Sequence, residues 1–360
     1  RSALQRLGRL PGVGDAGLGV DQGVHPYVHA ASESWVGEHM LAAVQQFLDE
    51  EGYNTTKDLF LCGYSQGGHA SMALHRSLEA NNRGFTLKAA SHMSGPYSIS
   101  SGMKDLLISE EAYSTVAYLP LVALSYNEVY GIFPQNNLRN FFKGEYADLI
   151  EQFANGDYDL WVLNTKLIAR LEMQYGKAIP KNMLLPEVLN AIVSDNNHPV
   201  NVALRDNDVY DWKPTIPTRL LYCKADEQVT YVNSIIAETK MKQNGSISVA
   251  AFDVNTNGSH SSCVSPAITS TLFFFLGLQQ ISATQQLTEA LNIYPNPASS
   301  MVYVKGNTAV GVSLLDAKGT VFTPTLEANS FDVQGIPAGY YIVLMNFEDG
   351  SNARTSLIIK

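Results

Sequence analysis

Cysteine is scarce: Cys62, Cys223 and Cys263 are the only ones in 360 residues. They make no CxxC motif and no Cys/His pair at zinc spacing, which excludes zinc ribbons, zinc fingers and dithiol redox sites. An odd count leaves at least one thiol free. Each cysteine sits beside apolar or motif residues, so the expectation is plain buried packing. Charge is sparse as well, at 16% of residues, and basic groups are the minority: 24 Lys and Arg against 34 Asp and Glu, a net charge of −10. That balance excludes the basic footprint of a nucleic-acid binder. Long apolar runs are missing too. The longest, "STLFFFLGL" at residues 270 to 278, falls well short of the roughly 20 residues of a membrane span, so no transmembrane span is expected. The chain opens at Arg1 without a basic stretch and apolar core ahead of a cleavage site, and the reading expects upstream residues lost to processing or to an incomplete frame.

What is present is an ordinary globular composition, 45% hydrophobic, in a chain long enough for one large domain and one small one. Residues 31 to 52 have helical spacing, with Trp35, Met40, Leu41, Val44 and Leu48 near one face and Gly52 at the end. Then "DLFLCGY" reads as a buried strand and "SQGGHASMALHRSLEANN" as a helix. "LKAASHMSG", "TRLLYCKADE" and "ISVAAFDV" read as strands, and "SSCVSPAITSTLFFFLGLQQ" as a helix. Strands alternating with helices imply a largely parallel sheet covered on both faces. Between about 98 and 212 helical patterns dominate, which predicts a helical cap inserted in an α/β domain of residues 1 to 280. The polar stretch 281–290 reads as a linker. Residues 291–360 alternate apolar and polar positions between Gly, Asn and Asp turns, which predicts a small antiparallel β-sandwich.

The strand "LFLC" runs directly into Gly63-Tyr64-Ser65-Gln66-Gly67 and then a helix. Strand, Gly-x-Ser-x-Gly and helix together describe a nucleophile elbow: Ser65 on a sharp turn, with side chains at Gly63 and Gly67 expected to collide with the neighbouring strand and helix. A helix N-terminus favours developing negative charge, and the Gln66 N–H is placed to stabilise an oxyanion. The plainer alternative makes Ser65 an N-cap. A serine nucleophile on this topology takes its acid and then its histidine later in the chain. Asp226 stands in the turn after the strand "RLLYC", where the active sites of open α/β sheets lie, with Glu227 beside it as rival acid. Only His260 follows, in the polar loop "VNTNGSHSS", read as a mobile carrier for the base. His69, four residues after Ser65, is expected to pack beneath the elbow. His25 and His29 share i,i+4 spacing, but Pro26 between them spoils the helix a metal pair needs; no metal or cofactor is expected.

From about residue 15 to 280 these residues resemble the α/β-hydrolase superfamily, in particular secreted bacterial lipase- and esterase-like enzymes. "GYSQGGHA" matches their elbow. "DAGLGVDQGVHPYVHA" resembles the segment after their fourth strand, and "NDVYDWKPTIPTRLLYCKADEQVTYVNS" the approach to their acid, with Asp226 in its place. The first strands of the family, and the loop that supplies its second oxyanion donor, have no counterpart in "RSALQRLGRLPGVG", so an N-terminally incomplete hydrolase sheet is expected. At the other end, "LNIYPNPASSMVYV" and "GYYIVLMNFEDGSNARTSLIIK" resemble the C-terminal sorting domain of proteins exported by the type IX secretion system. An adhesion or carbohydrate-binding sandwich is the rival, and Tyr340 and Tyr341 keep it open. The resemblance implies a secreted or cell-surface esterase or lipase exported through the outer membrane. Ser65, Asp226 and His260 would act on a small-molecule or lipid-like ester beneath a roof from "YSTVAYLPLVALSYNEVYGIF", and the sorting domain would engage the secretion machinery. A serine peptidase on the same fold and a non-catalytic surface protein on a degenerate scaffold are the alternatives.

Overall fold

The computed structural model describes residues 25–52, 56–283, 291–306, 308–316, 321–348 and 352–360. The segment 1–24, which holds "RSALQRLGRLPGVG", where no counterpart of the early strands is expected, and the whole of "DAGLGVDQG", lies outside the described residues. The chain divides into two compact units, Arg1–Thr271 and Leu272–Lys360.

In the first unit a helix α1 (Ala30–Glu50) precedes strand β1 (Asp58–Tyr64), helix α2 (Gln66–Ala80) and strand β2 (Thr86–Met93). After the helical segment come β3 (Thr218–Tyr222), α8 (Val232–Gln243), β4 (Val249–Asp253) and α9 (His260–Ala283), whose residues from Leu272 onward belong to the second unit. The strands form one parallel sheet in the order β1-β2-β3-β4, pairing Cys62 with Ser91, His92 with Leu220, and Leu221 with Phe252. Both faces are covered, as near-continuous apolar strands require. Met72, Leu78, Leu220, Leu221, Ala237 and Met241 are buried on the two sides.

The spacing on α1 misleads. Trp35, Met40 and Val44 are exposed, while Ala43 is buried and Gly37 faces Leu74 of α2, where a Cβ would come within 2.8 Å of the leucine. Close approach of the two helices through a small residue outweighs the apolar stripe. Helix α9 also runs further than "STLFFFLGL" suggests. Its stretch His260–Leu278 has 19 residues at mean hydropathy 1.5, enough by length and composition to cross a membrane. One face of it belongs to the fold, because Cys263 and Ala267 are buried, the latter against Met93 and Leu221 of the sheet. Residues 281–283 of the expected linker are its last turn, and 284–290 lie outside the described residues.

Between β2 and β3 the chain is helical: α3 (Tyr118–Tyr130), α4 (Gly144–Ala154), α5 (Leu160–Tyr175), α6 (Pro186–Ser194) and α7 (Pro199–Asp206). These helices have a core of their own around Tyr126, Phe142, Tyr146, Ile150, Leu163 and Leu167. Their stops follow local chemistry, with left-handed Gly131 and Gly176 ending α3 and α5, and Asp159 accepting the Trp161 and Val162 N–H groups at the start of α5.

The second unit holds two four-stranded antiparallel sheets. One has the order β5-β6-β10-β9, from Asn292–Tyr294, Met301–Lys305, Ser330–Asp332 and Leu326–Glu327. The other has the order β12-β11-β7-β8, from Asn352–Ile359, Gly339–Phe347, Ala309–Asp316 and Val321–Phe322. Alternate residues of both, Val302, Val304 and Phe331 with Val312, Leu314, Val343, Met345 and Leu357, fill one core.

Candidate active site

Ser65 joins β1 to α2 at φ 59° and ψ −124°, a conformation sparsely populated by L-residues. It occupies the N-cap position, yet its side chain caps nothing. Its Oγ lies 2.9 Å from His260 Nε2, and His260 Nδ1 lies 2.7 Å from Asp226 Oδ2. The turn chemistry of Asp226 and its contact with histidine coexist: Oδ1 accepts the N–H groups of Gln228 at 3.0 Å and Val229 at 2.9 Å while Oδ2 faces the ring. The carboxylate is fully buried, so its orientation is fixed from both sides. The Gln66 N–H, at the first position of α2, has no acceptor among the described residues, as the geometry of a helix start dictates.

The elbow glycines divide differently from expectation. A Cβ on Gly63 would stand 1.9 Å from the Gly67 carbonyl oxygen, but around a Cβ on Gly67 there is open space. The second close approach belongs to Gly68, whose Cβ would meet the Met93 carbonyl at 2.7 Å. Beneath the elbow, Glu33 of α1 binds two groups of α2. Its Oε1 accepts from Gln66 Nε2 at 3.2 Å and its Oε2 meets His69 Nδ1 at 2.5 Å. His69 is fully buried, and its Nε2 faces the Asn207 carbonyl at 2.8 Å. Burial alone would lower its pKa; the Glu33 charge and hydrogen bond, with the Asn207 carbonyl, outweigh it and raise the pKa. His25 lies 2.8 Å from Gln66 Nε2, and His29 caps α1 through Ser32. Among the described residues no three His, Cys, Asp or Glu side chains are grouped to hold a metal ion.

Two of the cysteines are not free packing groups. Cys223 and Cys263 form a disulfide that closes 40 residues, and Cys62 is free and exposed on β1. Sequence spacing carried an unused signal, since Cys223 stands three residues before Asp226 and Cys263 three after His260. Glu227 does not touch the imidazole; its Oε2 accepts the backbone N–H of His260 at 3.0 Å. The Tyr64 hydroxyl donates to the His260 carbonyl at 2.5 Å. Burial pushes that phenol up to about 12, against a lowering by Ser94, and keeps it a donor.

Ser65 opens on an apolar cavity. Tyr27, Ile99, Met103, Leu119, Val122, Ala123, Tyr126, Val200 and Leu204 line it, and Lys104 is its one charged residue among those described. Of the segment expected to roof the site, Leu119, Val122 and Ala123 line the cavity, and Ala123 also packs with Val116 and Ala117 in the helical core.

Comparison with solved structures agrees with this architecture. A Legionella pneumophila protein described as a hydrolase is 23% identical, with TM-score 0.64 over 77% of this chain and 69% of its own. The fold is that of the α/β-hydrolases. The rice cell wall degrading esterase LipA of Xanthomonas oryzae is 25% identical, with TM-score 0.58 over 72% of this chain and 67% of its own. Lipase A of Candida antarctica shares 10% identity and the hydrolase fold at TM-score 0.50, over 74% of this chain and 57% of the lipase. Residues 292–360 match the secretion system C-terminal sorting domain. That match indicates export of the chain, to the cell surface or beyond it. No curated protein matches the chain by sequence.

Proposed function

We propose that the first unit is a carboxylic-ester hydrolase that works through a serine nucleophile and an acyl-enzyme. The observation that carries this reading is the unbroken line from Ser65 Oγ through His260 to Asp226, at 2.9 and 2.7 Å, with the serine held in a strained turn. In the first step His260 Nε2 takes the Ser65 proton as Oγ bonds to the acyl carbon, and the carbonyl electron pair moves to oxygen. Gln66 N–H binds that oxyanion. Collapse breaks the bond to the leaving alcohol, which receives the proton from Nε2; water then repeats the sequence on the acyl-enzyme. Asp226 orients the ring and stabilises the imidazolium. The apolar cavity at Ser65 supports an aliphatic acyl group as the substrate's buried part. The esterase and lipase neighbours support the same class.

The test is hydrolysis of p-nitrophenyl esters from acetate to laurate beside aminoacyl p-nitroanilides. Ester turnover lost in Ser65→Ala and negligible anilide turnover are expected. Faster anilide turnover would move the assignment to peptidases.

A further inference from the structure

The base, expected on a mobile loop, is instead the first residue of α9, and its backbone is held on both sides. The His260 N–H donates to Glu227 Oε2 at 3.0 Å, and the His260 carbonyl accepts from the Tyr64 hydroxyl at 2.5 Å. One helical turn on, Cys263 is bonded to Cys223. A Cβ on Gly258, in the loop leading to the base, would stand 3.0 Å from Cys223 Sγ, so the loop lies directly on the bridge.

The origin of these contacts is informative. Tyr64 immediately precedes Ser65, Glu227 immediately follows Asp226, and Cys223 stands at the end of β3 just before the acid turn. The sequence neighbours of nucleophile and acid thus grip the main chain of the base. We propose that Glu227, Tyr64 and the Cys223–Cys263 disulfide are positioning groups that hold His260 between Ser65 and Asp226, with Glu227 serving as a hydrogen-bond acceptor and not as a second acid. The proposal rests on the reading of Ser65, His260 and Asp226 as the triad. The two hydrogen bonds fix the peptide planes before and after the histidine, and the disulfide fixes the start of α9 against the acid turn. The imidazole then turns only about its own side-chain bonds, where Asp226 selects one orientation. Misplacement of a reacting group by about 1 Å can cost on the order of 10² in rate, so such anchoring acts on turnover and leaves substrate binding alone.

The experiment uses the full chain and p-nitrophenyl butyrate, with active sites counted by fluorophosphonate titration so that misfolded protein is excluded. Glu227→Ala and Tyr64→Phe are each expected to lower kcat by roughly 5- to 20-fold with KM within about twofold. Glu227→Gln should stay within about threefold of wild type, because an amide carbonyl accepts the same N–H. The paired change Cys223→Ala/Cys263→Ala should lower kcat at constant KM, whereas Cys62→Ala, which removes the free thiol, should not. Wild-type kcat per active site in Glu227→Ala and Tyr64→Phe would overturn the proposal, as would a Glu227→Gln loss equal to that of Glu227→Ala. If wild type and Ser65→Ala hydrolyse the ester alike, the triad reading has failed and the clamp falls with it.

Discussion

Gly63 and Gly67 approach so closely that a Cβ on Gly63 would lie 1.9 Å from the Gly67 carbonyl oxygen, while a Cβ on Gly67 would touch nothing within 4 Å. Two glycines of one pentapeptide therefore differ in what they tolerate. Gly63→Ala must push the start of α2 away from β1, at a cost of about 1–3 kcal/mol, and should slow fluorophosphonate labelling of Ser65 at least tenfold. Gly67→Ala should label at nearly the wild-type rate with unchanged or raised Tm. Equal damage from both would show that the elbow is constrained by something besides this contact.

The proposed triad of Ser65, His260 and Asp226 is expected to behave as a unit. Ser65→Ala and His260→Ala should each remove nearly all ester hydrolysis, and the double variant should be scarcely worse than either. Asp226→Asn should reduce turnover by roughly 10³- to 10⁴-fold through the wrong imidazole tautomer. Additive losses in steady-state kinetics would contradict a shared mechanism.

Acyl selectivity should follow the cavity. Ala123 is buried and lines it with Val122 and Leu119, so Ala123→Phe should fill space an acyl chain needs. Hydrolysis of laurate and octanoate esters should fall by about tenfold or more relative to acetate, in line with the roughly 1–3 kcal/mol a methylene-sized change carries. An unchanged chain-length profile would place the acyl group elsewhere.

Acid should destabilise the sheet from within. His92 of β2 is fully buried between Ser71, at 2.7 Å, and His75, at 3.2 Å, and burial followed by the His75 charge holds its pKa well below the ordinary value. Burial lowers His75 as well, with Glu79 opposing it. A histidine kept neutral in the fold binds fewer protons than in the unfolded chain, so stability is complete above the unfolded value near 6.5 and falls as pH drops below it, by about 1 kcal/mol per pH unit for one such group. His69, with its raised pKa, has the opposite sign and contributes most at low pH. The net prediction is a Tm that falls from pH 7.5 to 5.5 less steeply in His92→Gln than in wild type. Parallel curves would show that His92 takes up protons in the folded state.

Export should depend on residues 292–360, the sorting domain. In a host with the cognate secretion system, mass spectrometry of the exported protein should find the chain without this domain, and its deletion should retain the protein in the cell. An exported chain with an intact C-terminus at Lys360 would contradict processing of the domain.

Local chemistry is legible in this chain wherever a short segment determines its own conformation. "DLFLCGY" is β1 over Asp58–Tyr64, because an apolar run bounded by Gly and followed by a helix has few other conformations. The turn at Ser65 and the turn after β3 are of the same kind, whereas the helix expected from Ser261 takes in His260, a residue expected in the loop. What the sequence leaves undecided depends on partners distant in the chain. The apolar spacing of α1 does not say that Gly37 will face Leu74 and leave Trp35 exposed. Sequence prefers Asp226 to its neighbour Glu227 as the acid but gives Glu227 no other role; the fold aims Asp226 at the imidazole and Glu227 at the backbone N–H of the same histidine. The pairing of Cys223 with Cys263, 40 residues apart, follows from the parallel sheet setting the end of β3 beside the start of α9. Sequence by itself determines strands, turns, caps and the order of chemically competent side chains, because these depend on neighbours a few residues away. Distances of 2.9 Å and 2.7 Å about one imidazole exist only when three strand ends are packed together, and that is a property of the tertiary structure.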